Sequence, residues 1–307
     1  NWTPAKAAEF FKTLENPSEP VGEIGEHCQS PYECPFIAYC WKHVPEYSIF
    51  TLPGARWTAK AEYISKGLLA LDDVSEDALN ERQLKYLKSY RTQAPIIDKS
   101  AIKNELNKLE YPLYFLDFET DGPAIHRFFG MRPFEQFPFQ FSCHKLEEKG
   151  KLEHFWFLHT DMDDPRKDIA ESLINTLGTH GSIIAYNAPF EIRFIKNLAG
   201  WFPDLATDLL AMVDRFWDQL PIFRNYYIDY RFLGSASIKY VLPVLVPSLS
   251  YEALNVSGGT EAQATWNTMI QTKDADLKAK LIDNLLEYCG QDTYAMVEIH
   301  RVLKKLI

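Results

Sequence analysis

The chain has 307 residues, of which 46% are hydrophobic and 24% charged, with 14 glycines and 18 prolines. That composition excludes a disordered or fibrous protein and leaves room for one large folded part or two modest ones. A formal charge of -10, from 42 acids against 32 bases, argues against a surface built to embrace duplex nucleic acid, which needs Lys and Arg for counterion release. It is compatible with an acidic metal site approached along a short basic path.

No window reaches the about 18 uninterrupted apolar residues of a membrane span, and Asn1-Trp2-Thr3-Pro4 has no charged-then-apolar leader. A cytoplasmic protein without membrane contact is therefore expected. The first residue is not Met, so a trimmed chain is expected too.

Residues 1 to about 50 are rich in Pro, Glu, Tyr and Cys without a sustained period, and read as short helices and loops. Helical spacing runs from Ala59 to Arg91, broken near Asp72-Asp73. Ile97 to Glu110 reads as a charged linker helix, which places a boundary near residue 105. The expectation is a mostly helical, cysteine-containing region over 1–105 and an α/β domain over 106–307.

In the second part Pro112 to Glu119 is an apolar run that ends in acids. Phe137, Phe139, Phe141 and Cys143 alternate with Pro138, Gln140, Ser142 and His144, the period of a strand. Leu152 to His159 reads as a third strand, Asp164 to Leu177 as an amphipathic helix, and Ser182 to Asn187 as a buried fourth strand. This order predicts a mixed sheet flanked by helices. The rest, from Phe190 to Ile307, reads as mostly helical, with an irregular Tyr-rich segment at Asn225 to Arg231 and a loop near Asn255 to Thr260.

Acids occupy inward positions in three places. On the first strand Leu113, Phe115, Asp117 and Glu119 share a face, because side chains alternate along a strand. Acids at a strand end can simply reach water; two on one apolar face weaken that reading. Glu191 follows Pro189 in the first turn of a helix, where the dipole favours an acid. It also lies on the apolar stripe of Phe194, Ile195 and Leu198. In the last helix, from about Asp276 to Leu306, the stripe Leu281, Leu285, Met296, Ile299 and Leu303 is interrupted by Tyr288 and Asp292. A buried carboxylate needs a hydrogen-bond partner or a cation. Four acids can ionise close together when divalent cations neutralise them, and all-oxygen donors suit Mg²⁺ or Mn²⁺. A pair of such ions roughly 4 Å apart activates water for phosphodiester hydrolysis.

Three motifs, Asp117-Phe118-Glu119-Thr120, Asn187 to Glu191, and Tyr288-Cys289-Gly290-Gln291-Asp292, resemble in order and spacing those of the DEDD 3′-5′ exonucleases of the tyrosine subclass. The resemblance implies a ribonuclease-H-like fold and a two-metal-ion 3′-5′ exonuclease. It implies Asp117, Glu119, Glu191 and Asp292 as ligands of two Mg²⁺ or Mn²⁺ ions, and Tyr288 as the group that orients or helps deprotonate the attacking water. Glu191 stands where most of the family has Asp, and its longer side chain implies a small backbone retreat. Thr120 would lie against the terminal nucleotide of a single-stranded DNA or RNA 3′ end, and Asn187 would hold the strand-to-helix turn. Phe128, Phe129 and Phe134, in the loop after the first motif, could stack on bases. Lys304-Lys305 reads as the solvated end of the last helix.

Cys28, Cys34 and Cys40 are spaced with five residues between neighbours. Their spacing resembles the C-terminal cluster of iron-sulfur PD-(D/E)XK nucleases, whose fourth cysteine lies far upstream. The chain is also similar to a bacterial group that joins such a nuclease to an exonuclease-like domain, through Arg132-Pro133-Phe134 to Phe141-Ser142 and Gly234 to Pro247, with Ser237-Ile238-Lys239 at a helix start. Plain thiols, an iron-sulfur cluster, or a zinc site completed by His27 or His43 all remain open. Cys143 and Cys289 read as core residues. The competing function is a non-catalytic nucleic-acid-binding or scaffolding module of an upstream iron-sulfur nuclease.

Overall fold

In a computed structural model, residues 2–20, 22–249, 255, 256 and 258–307 are described. The chain divides into two compact units, residues 1–87 and 88–307.

In the first unit, α1 (Trp2–Glu15), α2 (Ile37–Cys40) and α3 (Trp57–Ser65) alternate with single 3-10 turns, and Ser48 and Ala70 form an isolated antiparallel bridge. Ile49, Leu52, Leu71 and Val74 are buried, whereas α1 buries no residue. α4 (Glu81–Thr92) spans the division. The division falls before the expected residue 105 for a packing reason. The charged helix α5 (Lys99–Leu106) is no free linker: its Ile102 and Leu106 are buried in the second unit, with Ile299 and Leu303.

The second unit opens with β1 (Ile96–Ile97) and α5, whose N-terminus is capped by the Asp98 carboxylate accepting from the Ala101 amide at 2.9 Å. Then come β2 (Leu113–Asp121), β3 (Phe137–Leu146), β4 (Leu152–Leu158), α6 (Arg166–Leu177), β5 (Ser182–Ala185), α7 (Pro189–Trp201), α8 (Ala206–Val213) and β6 (Phe216–Asp218). The last elements are β7 (Tyr227–Ile228), α9 (Ile238–Leu245), α10 (Gly259–Gln271) and α11 (Ala275–Leu306).

Five strands form a mixed sheet in the order β4-β3-β2-β5-β6, with β2 in the centre. β3 runs antiparallel to both β2 and β4, while β2, β5 and β6 are parallel. β6 lies inside the stretch read as mostly helical. Three residues are too few for a period to stand out, but the parallel pairing of Ile183 to Ala185 with Phe216 to Asp218 makes it the sheet's fifth strand. β1 pairs with β7 in a separate two-stranded ribbon, so Tyr227 and Ile228 of the Tyr-rich segment are extended rather than irregular.

The strand alternation sorts the core into two layers. Tyr114, Leu116, Phe118, Phe141 and Cys143 pack against α6, α7 and α8. Leu113, Phe115 and Ile184 face the other way, toward Met296 and Val297 of α11, and Phe137 and Phe139 meet Trp266 of α10 on a neighbouring part of the core. The sheet is thus flanked by helices on both faces. Asp117 and Glu119 continue the face that meets α11, because they follow Leu113 and Phe115 at the strand's period of two.

Candidate metal centre

Asp117 sits at the centre of β2, opposite Ser142, and Glu119 sits opposite Gln140. Just beyond Glu119 the β2–β3 register shifts, with Thr120 opposite Pro138. α11 crosses this face and supplies Tyr288 and Asp292, one helical turn apart. A cavity of about 390 Å³ opens here, and Asp117, Glu119, Thr120, Tyr288 and Asp292 all line it. Tyr186, Phe190, Lys239, Gly259 and Gln263 form other parts of its wall.

The ligand atoms of Asp117, Glu119 and the Cys289 sulfur lie within 4.8 Å of one another, the one three-ligand group among the described residues. Burial, and next the charge of Asp292, hold the Asp117 carboxyl well above the usual carboxylate range. Glu119 is raised by burial and by Asp117 and Asp292, while Lys239 partly offsets this. Tyr288 is pushed up by burial and by Asp292, Glu119 and Asp117, so its phenol stays protonated. Acids this close without a cation strain toward their neutral forms.

Glu191 comes from the first turn of α7, where Pro189 occupies the opening of the helix. It is 2% exposed, on the stripe with Phe194, Ile195 and Leu198, and is not among the residues that line the cavity. Burial, and next the charge of Asp117, push its carboxyl up to about 9. One of its oxygens, Oε2, is buried without a hydrogen-bond partner. An orphaned buried carboxylate oxygen beside Asp117, together with three more carboxylates from two elements, fits hard divalent cations such as Mg²⁺ or Mn²⁺.

Asn187 holds a left-handed conformation (φ 80°) at the β5–α7 turn, and its amide donates to the Asp218 carboxylate at 2.9 Å. Its side chain is exposed, so it is the backbone that shapes the turn. Asp218 also accepts from the Leu220 amide at 3.0 Å, and its charge bears on Glu191. Sequence reading missed Asp218, although an acid ending a short aromatic strand echoes Asp117. It also missed Asp121, which is buried and held by Gln263 at 2.6 Å and by Arg127 at 3.6 Å.

The placement of α11 rests on a polar layer against β3. Thr293, next to Asp292, shares hydrogen bonds with Ser142 at 2.7 Å and with His144 at 2.8 Å. His154 completes the layer, bonding Ser142 at 2.8 Å and stacking on His144 with centroids 4.2 Å apart. Gln140 donates to the Leu285 carbonyl at 2.8 Å. These contacts fix Tyr288 and Asp292 relative to β2.

Other expected residues fall differently. Phe128 is buried against Phe137, with centroids 5.1 Å apart, and offers no stacking surface, whereas Phe129 and Phe134 are 100% and 72% exposed. Cys143 and Cys289 are core residues, though the Cys289 sulfur also borders the acids. Cys28 is buried and Cys34 and Cys40 partly so, all three as free thiols. Their sulfurs do not gather into a three-ligand group among the described residues. A larger depression of about 790 Å³ lies on the opposite face of the sheet, lined by Tyr114, Lys145, Asp168 and Glu171 among others. Its acids form no converging ligand set among the described residues.

Residues 114–237 match the family model of a domain of unknown function, DUF2779. That stretch runs from β2 to the residue before α9 and includes Asp117, Glu119 and Glu191, but ends before α11 brings Tyr288 and Asp292. No curated protein matches the chain, and no solved structure does. No helix among the described residues is long and apolar enough to cross a membrane.

Proposed function

We propose that the chain is a metal-dependent 3′-5′ exonuclease with a ribonuclease-H-like fold, hydrolysing phosphodiester bonds at single-stranded nucleic-acid ends. One observation carries this reading: two acids of the central strand and a Tyr–Asp pair of the final helix, far apart in the chain, line one cavity. The mixed sheet with helices on both faces supports it, as does the orphaned oxygen of Glu191. The binding-module alternative expects carboxylates too far apart to share ions; the Asp117 and Glu119 ligand atoms lie within 4.8 Å of one another, and this close pair speaks for the catalytic reading.

Two Mg²⁺ or Mn²⁺ ions held by Asp117, Glu119, Glu191 and Asp292 would supply activation of water and stabilisation of the leaving oxygen. Tyr288, whose phenol burial keeps protonated, uses its hydroxyl to orient the attacking water. The water oxygen bonds to phosphorus as the bond from phosphorus to the 3′-oxygen of the preceding nucleotide breaks; the water gives up a proton, the departing 3′-oxygen gains one, and a 3′-hydroxyl end and a nucleoside 5′-monophosphate result. Thr120 and Phe190 border the terminal nucleotide. The Tyr186 hydroxyl is committed to the Ala236 carbonyl at 2.7 Å, so this residue offers its ring as a wall. Phe129 and Phe134 provide exposed aromatic surface on which further bases stack.

Incubating 5′-labelled oligonucleotides with Mn²⁺ is expected to give a ladder that shortens from the 3′ end. Asp117→Ala is expected to abolish it; an undiminished ladder from that variant overturns the reading.

A further inference from the structure

The cavity is rich in negative charge, yet the exonuclease reading requires it to admit a phosphodiester. Among the described residues that line it, Lys239 is the only cationic side chain. It stands in the first turn of α9, after Ser237.

Two consecutive glycines lie beside it. A Cβ on Gly258 would sit 3.4 Å from the Lys239 Nζ, and a Cβ on Gly259 would sit 3.8 Å from the Glu119 Oε2. Gly258 is in an extended conformation (φ -170°) open to any residue, so its backbone does not require glycine. The two glycines thus border both Lys239 and Glu119, and the Lys239 charge acts on the Glu119 carboxyl. Lys239 is an exposed residue that lines the cavity, so its ammonium group can meet a ligand there without the cost of full desolvation. A cation in the lining of a cavity that also has aromatic walls at Tyr186 and Phe190 matches a ligand with one anionic group and one flat ring. A volume of about 390 Å³ lies toward the small end of ligand pockets, roughly 300 to 1,000 Å³, and suits one mononucleotide unit.

We propose that Lys239 is the phosphate-binding group of this cavity, engaging the 5′-phosphate of the terminal nucleotide. The assignment rests on the exonuclease reading for the nucleotide to which that phosphate belongs. The ammonium group binds the phosphate in the ground state and remains with the released monophosphate, so its contribution appears in product affinity as well as in turnover.

The test is calorimetric titration of the full chain in Mg²⁺ with adenosine 5′-monophosphate and, separately, with adenosine. Lys239→Gln is expected to weaken the monophosphate about tenfold or more, the scale of one charge-assisted hydrogen bond, while adenosine binding stays unchanged. Lys239→Arg, which keeps the charge, is expected to retain most of the monophosphate affinity. Unchanged monophosphate affinity in Lys239→Gln overturns the proposal, and so does equal weakening of both ligands. Failure here is distinguishable from failure of the exonuclease reading. A ladder lost in Asp117→Ala with intact monophosphate binding in Lys239→Gln sinks only the subsite. Phosphate-selective weakening in Lys239→Gln upholds the phosphate site even where wild type cleaves no oligonucleotide.

Discussion

Glu191 departs from ordinary carboxylate behaviour in a way that bears on stability. Its folded-state carboxyl is pushed up from 4.5 to about 9, by burial first and by Asp117 second. A raised pKa means the fold prefers the neutral form. This contribution is therefore fully present below pH 4.5 and is lost as pH rises through about 9. In metal-free protein, melting experiments at pH 5 and pH 9 should show Glu191→Gln gaining stability over wild type as pH rises, because glutamine does not ionise. A difference between the two proteins that is independent of pH contradicts this. The inward direction of Glu191 was legible from its i+3, i+4 and i+7 apolar neighbours. That of Asp117 and Glu119 was legible from strand alternation. Lys239 and Asp218 were not, because a lone lysine at a helix start and a lone acid at a strand end look the same in sequence whether they face water or a cavity.

At the scale of elements, long periodic segments declared themselves and short ones did not. β2, β3 and α11 have 9, 10 and 32 residues, enough for alternation or an apolar stripe to be read. β6 and β7 have three and two, and pairing across the chain rather than local pattern makes them strands. α5 looked like a linker because its surface is charged, yet Ile102 and Leu106 anchor it. The entry to β5 shows how closely elements approach. Gly181 has φ +88°, and a Cβ there would meet the Pro112 carbonyl oxygen at 2.2 Å, a backbone atom unable to yield cheaply. Gly181→Ala is expected to destabilise the protein by about 2–5 kcal/mol, combining left-handed strain with overpacking. Denaturant melts check it, and a loss near zero would mean that β2 and β5 do not meet this way.

For the molecule as a whole, the charge of -10 gains a specific meaning. Three of its acids, Asp117, Glu119 and Asp292, line one cavity, and the Asp117 charge reaches the buried Glu191, so part of the negative count belongs to a cluster rather than to a solvated surface. Anything that binds the folded state alone stabilises it. At pH 8, Mn²⁺ at about 100 times its dissociation constant should add about 2.7 kcal/mol, and Asp117→Ala should remove that gain. Thermal melts with and without Mn²⁺ read this directly, and an equal rise in both proteins would place the ions elsewhere.

The measurement that bears most directly on the proposed activity is a product analysis of single-stranded DNA and RNA, digested side by side by wild type and Asp292→Asn in Mn²⁺. Nucleoside 5′-monophosphates released one at a time from the 3′ end of at least one substrate are the predicted result, with the rate lowered about 10²-fold or more in the variant. Intact substrates with wild type, or equal rates from the two proteins, contradict it.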